Sequence, residues 1–133
     1  VPLGEFRDKL IALCERILSY GGMPVLQTQY SMVLHRYSEA FRRDYPAYIE
    51  MNRTVARELD IPCLDMNRRF LPYYEADPAR YAEELMTDNC HLNGVGNAVL
   101  GCLAAEAFGL PRPELADLAE PAERILDRMR ALA

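Results

Sequence analysis

The stretch MTDNCHLNGVGN, residues 86–97, places Asp88 three residues before His91, one of two histidines in the chain. Near neutral pH an imidazole accepts a proton from a hydroxyl and returns it to a leaving group, provided something holds its other ring nitrogen. An Asp three residues earlier in a tight turn reaches that nitrogen, fixes the tautomer and stabilises the imidazolium formed during acyl transfer. The same residues also suit a polar loop in front of a helix, with a solvated Asp88 and a structural His91, and the pattern alone leaves both readings open. Asn93 is well placed to cap the following helix. Asn89 tolerates the left-handed backbone that a tight turn uses, and Cys90 is small and apolar enough to tuck inward.

No metal is expected, because Asp88, His91 and a cysteine lack a fourth ligand at any recognisable spacing. Nothing points to a cofactor. Cys90 is disfavoured as a nucleophile, since a histidine adjacent in sequence does not easily turn to face it. His35 lies in LHRYSEAFRRD, a charged stretch with the character of a solvated face.

The 133 residues suit one domain, 1–133, or the C-terminal part of a larger one. Half the residues are hydrophobic and a quarter charged, as expected of a globular protein. Apolar runs are far too short for a membrane span. With a net charge of −5 and arginines interleaved with acids, the electrostatic attraction that drives nucleic-acid binding is missing. Cys14, Cys63, Cys90 and Cys102 show no CxxC spacing and are expected as reduced thiols, mostly in the core, which favours a cytoplasmic setting. The chain opens at Val1 without Met or a signal segment, and a natural N-terminus is expected to have been removed.

The elements that must position Asp88 and His91 follow from periodicity. Phe6, Leu10, Leu13, Ile17 and Tyr20 predict a helix over 5–20 that stops at Gly21-Gly22. MPVLQTQ, 23–29, and IPCLDM, 61–66, predict short buried strands, with Pro62 near the start of the second. Between them Tyr48, Met51, Val55 and Leu59 predict a helix in the second half of 36–60, with Pro46 in its first turn. A tyrosine-rich loop containing Tyr73 and Tyr74 and a short helix near 79–86 lead to the Asp88–His91 stretch. Val95, Val99 and Leu103 then predict a buried helix, which Gly96 and Gly101 let approach a sheet closely. After GLPRPEL a last helix over 117–131 has a weaker apolar face. The organisation is therefore a core over 5–108 with a helical extension over 114–133.

Strand, helical crossover, strand, helix is the order of a parallel α/β layer. Two strands make a poor parallel sheet, so further strands are expected from another segment or another chain. In open α/β sheets ligand loops gather beyond strand C-terminal ends, which makes Gln29, Tyr30 and Ser31 candidates for substrate contact.

The helix ending in SYGG, the strand MPVLQTQ, the helix YIEMNRTVARELD running into IPCLDM, and DNCHLNGVGN opening a core helix together resemble the C-terminal half of the SGNH hydrolases, the GDSL-type lipases and esterases. The resemblance covers most of residues 5–108. That family's last block carries an Asp, a His three residues on, then a residue and an Asn; Asp88, His91 and Asn93 match. The resemblance implies a flavodoxin-like, three-layer, parallel-sheet fold and hydrolysis of acyl or acetyl esters of small molecules or carbohydrates. His91 and Asp88 would be its catalytic pair. It also implies a nucleophilic serine in an early GDS block and oxyanion donors from that serine, a glycine and an asparagine. Neither GDS nor GxND occurs here, and Ser19, Ser31 and Ser38 do not match the nucleophile motif. The other function class consistent with these features is a noncatalytic α/β binding module, for example one that recognises carbohydrate, in which Asp88 and His91 need not touch.

Overall fold

The computed structural model describes residues 1–133. It is an α/β chain, 68% helical, with one two-stranded parallel sheet. The chain forms two compact units, Val1–Gln29 with Ser38–Asp65, and Tyr30–Tyr37 with Met66–Ala133.

The first unit holds α1 (Leu3–Ser19), β1 (Leu26–Gln27), α2 (Glu39–Glu58) and β2 (Cys63–Leu64). Helix α1 ends where Gly21, at φ 79°, takes the left-handed conformation, so that the Gly21 and Gly22 N–H groups donate back to the Leu18 and Ile17 carbonyls. Its inward face is Leu10, Ile11 and Cys14, packed with Leu26, Val55, Ala56 and Ile61. Leu13 and Tyr20, predicted for that face, are exposed. Each helical residue turns about 100°; Cys14 takes the direction expected of Leu13, and Tyr20 already lies beyond the helix.

Helix α2 starts earlier than predicted because the Ser38 hydroxyl accepts the Phe41 N–H at 3.3 Å. Pro46 therefore lies inside the helix, not in its first turn. It cannot donate to the carbonyl four residues back, but Arg42 and Pro46 are both exposed, and solvent can replace the missing donor there.

The strands pair in parallel, Leu26 opposite Cys63 and Gln27 opposite Leu64, as the strand–helix–strand order requires. Pro62 loses nothing at the start of β2, since it contributes a carbonyl, which accepts the Leu26 N–H at 3.0 Å. Neither strand is as buried as predicted. Along the first, Pro24, Leu26 and Thr28 are buried while Val25 and Gln27 are exposed, the period of two of a strand covered on one face. Asp65, directly after β2, accepts the Thr28 hydroxyl at 2.9 Å and both Nε and Nη2 of Arg53, a two-pronged bond that ties the strand ends to α2.

The second unit holds a 3₁₀ turn at Leu34–Arg36, then α3 (Met66–Ala76), α4 (Pro78–Leu85), α5 (Gly94–Ala107) and α6 (Ala119–Leu132). The predicted tyrosine-rich loop is helix α3: Met66, Phe70, Tyr73 and Tyr74 share its buried face, and Pro72 is accommodated inside it. Tyr73 and Tyr74 pack edge-on against fully buried Tyr81. The α6 residues Ala122, Ile125, Leu126 and Met129 are buried where α6 meets α3 and α5. Arg128 of α6 bonds Glu84 of α4 at 2.7 Å, and the Tyr73 hydroxyl bonds the same carboxylate. Gly96 does permit a close approach, but to the end of α4 and not to a sheet. A Cβ there would stand 2.4 Å from the Leu85 carbonyl oxygen, whereas Gly101 has only Pro113 near it, at 3.9 Å. No helix is long and apolar enough to cross a membrane.

Candidate functional site

Asp88 and His91 lie in a tight loop between α4 and α5. An antiparallel bridge between Met86 and Leu92 closes its base, and Thr87 N–H donates to the His91 carbonyl at 2.8 Å. At the tip, Asp88 Oδ1 accepts two backbone N–H groups, from Cys90 and His91, each at 2.8 Å. This is the local turn that a short acceptor side chain makes with the backbone just beyond it. Its other oxygen, Oδ2, stands 2.8 Å from His91 Nδ1. One carboxylate thus shapes the loop with one oxygen and orients the imidazole with the other.

The Cys90 N–H, the His91 ring and the His91 N–H, in that order, hold the Asp88 carboxyl well below the usual carboxylate range. An ionised carboxylate only accepts hydrogen bonds, so Nδ1 must be the donor. In the neutral ring Nε2 is then an acceptor, on a side chain 74% exposed.

Comparison of the chain with protein families, with curated proteins and with solved structures gives no match.

The loop is held from outside by residues 30–36. The Tyr30 hydroxyl donates to the Cys90 carbonyl at 2.7 Å, Val33 N–H donates to the Asn89 carbonyl at 2.9 Å, and Arg36 reaches the Asn89 side chain at 3.4 Å. Asn89 is an anchor and does not take the positive φ expected of it. Asn93 caps α5: its Oδ1 accepts the Gly96 N–H at 2.9 Å, its Nδ2 donates to the Glu84 carbonyl, and its own N–H to the Leu85 carbonyl. The helix start behind His91 is thereby fixed to the end of α4.

Of the three residues predicted beyond β1, Gln29 is partly exposed at the end of the first unit's opening segment, and Tyr30 braces the loop. Ser31 is fully buried; its carbonyl accepts the Tyr81 hydroxyl and its own hydroxyl has no partner. His35 is not merely solvated, for its backbone N–H and Nδ1 both contact the Tyr74 hydroxyl and its ring stacks on that of Tyr74.

Cys90 departs from expectation. Its thiol does not tuck away from His91 but lies 3.4 Å from Nδ1, so neighbours in sequence do face one another when the turn between them is this tight. That contact falls on the nitrogen already engaged by Asp88, which leaves Nε2 untouched. Tyr37, which no spacing in the sequence ties to this loop, is also drawn in: partial burial first, then a hydrogen bond to Cys90 and the nearby negative charge of Asp88, push its phenol up.

Proposed function

We propose that this chain supplies the acid–base half of a serine ester hydrolase of the SGNH type, acting on acyl or acetyl esters of small molecules or carbohydrates. The observation that carries the reading is the 2.8 Å bond between Asp88 Oδ2 and His91 Nδ1, made by a carboxylate whose other oxygen is pinned by two backbone N–H groups. It leaves Nε2 as a free acceptor on an exposed ring, the arrangement a general base needs. The parallel β1–β2 pair supports the same family, and a three-layer sheet completed by strands from another segment or chain belongs to the proposal.

In this reaction a serine supplied by that other segment attacks the acyl carbon while Nε2 of His91 takes its proton. Asp88 stabilises the imidazolium, which then protonates the departing alcohol. Water repeats the steps on the acyl-serine and regenerates the hydroxyl. Tyr30 is the substrate-contact residue of the proposal, while Ser31, being fully buried, is not one.

Loss of the nucleophile alone costs about a millionfold in turnover, and each missing oxyanion donor about a hundredfold or more. The 133 residues alone should therefore not hydrolyse p-nitrophenyl acetate, whereas the chain completed by the segment or partner chain that supplies the serine should, and His91→Ala should abolish that activity. Ester hydrolysis by the isolated chain that survives His91→Ala, or a completed protein without a GDS serine, contradicts the proposal.

A further inference from the structure

Asp88, Cys90 and His91 each present one metal-binding atom, and those atoms all lie within 4.8 Å of one another. We propose that the loop is a binding site for a borderline divalent cation, Zn²⁺ first among them, and that the cation switches off the acid–base function of His91. The second half of that statement rests on the hydrolase reading, while the binding itself does not.

The donor set is a thiol, an imidazole and a carboxylate, the combination that zinc takes in tetrahedral sites with water as the fourth ligand. Zinc bond lengths put tetrahedral sulfur and nitrogen ligands about 3.5 Å apart, and nitrogen and oxygen ligands about 3.3 Å apart. Here Cys90 Sγ and His91 Nδ1 are 3.4 Å apart, already near that spacing, and Nδ1 and Asp88 Oδ2 are 2.8 Å apart. Opening the second distance by about half an ångström exchanges one hydrogen bond for two metal bonds. The loop need not unfold to allow it, because Asp88 stays pinned through Oδ1. Tyr37, hydrogen-bonded to Cys90, and Tyr30, on the Cys90 carbonyl, brace the sulfur ligand in the way outer groups steady metal ligands elsewhere.

The proton count gives the consequence. Zinc takes the Nδ1 lone pair, so the ring keeps its single proton on Nε2, and the Cys90 thiol releases its proton to solvent. Nε2 changes from acceptor to donor. A histidine in that tautomer cannot accept a serine proton.

The test uses the metal-free 133-residue chain, titrated with Zn²⁺ against a chromophoric chelator and with Co²⁺, whose thiolate charge-transfer absorption reports sulfur ligation. We expect one equivalent bound with a thiolate band, affinity reduced about tenfold or more by Cys90→Ser or Asp88→Asn, loss of the band in Cys90→Ser, and no change in Cys63→Ser. Circular dichroism checks that each variant is folded. Zn²⁺ affinity unchanged in Cys90→Ser, or a Co²⁺ thiolate band that persists there and vanishes in Cys63→Ser, overturns the site. Because no ester is present, failure of the hydrolase reading would leave these results intact, and failure of metal binding would leave the esterase assay intact.

Discussion

The Tyr30 hydroxyl donates to the carbonyl of Cys90 at 2.7 Å, joining residues sixty positions apart and fastening the segment that follows β1 to the loop that carries Asp88 and His91. The ring of Tyr30 also packs at 5.8 Å from that of Phe70, so phenylalanine would keep the packing and lose only the bond. Tyr30→Phe should cost about 1 kcal/mol of unfolding free energy and speed amide hydrogen exchange at Cys90 and His91 more than at Val99. Uniform exchange across the unit would mean that Tyr30 does not brace the loop.

Gly96 and Gly101 stand in the same helix and make opposite predictions. A Cβ on Gly96 meets the Leu85 carbonyl oxygen at 2.4 Å and Leu92 Cδ2 at 2.8 Å, and backbone cannot step aside cheaply. Gly96→Ala should therefore destabilise by about 1–3 kcal/mol. Gly101→Ala meets only the Pro113 ring at 3.9 Å and should gain helix propensity, up to about 1 kcal/mol. Urea unfolding of both variants checks the pair, and equal effects would contradict the close approach of α5 to the end of α4.

Two carboxylates make stability depend on acid. Asp88 is held low by the Cys90 N–H, the His91 ring and the His91 N–H. For Glu84, burial opposes ionisation, but hydrogen bonds from Tyr73 and Arg128 outweigh it and hold the carboxyl below its usual range. A folded-state value below the unfolded one means that the unfolded chain binds protons first as pH falls. The contribution is complete above the ordinary values, 4.5 for Glu84 and 3.8 for Asp88, and is lost progressively below them. The urea midpoint should thus vary little on account of these two groups between neutrality and about pH 5 and drop below that, less steeply in Glu84→Gln and in Asp88→Asn. A drop of the same steepness in both variants would show that other groups carry the acid sensitivity.

The contact between Asp88 and His91 was legible in the sequence because its geometry is local. Asp88 and His91 are three residues apart, and a tight turn suffices to join them, as it suffices for Asn93 to reach Gly96. The strand–helix–strand order likewise forecast a parallel pair. What the sequence hid depends on distant residues or on proline. Pro46 masked the first half of α2 and Pro72 masked α3, since both helices tolerate a proline that local propensity counts against them. The buried stripe of Phe70, Tyr73 and Tyr74 has helical spacing, but only Tyr81 and the rest of the unit show why those tyrosines are inside. The brace from Tyr30, the anchor through Asn89 and the nearness of Tyr37 to Cys90 join parts of the chain that no periodicity relates.

The most direct test of the account is the tautomer of His91, read from its ring ¹⁵N resonances at a pH where the ring is neutral. Asp88 aiming the imidazole predicts a proton on Nδ1 and a bare Nε2 in the metal-free wild type, shifting toward Nε2–H in Asp88→Asn. Nε2–H as the main form in the wild type, unmoved by Asp88→Asn, would contradict the account.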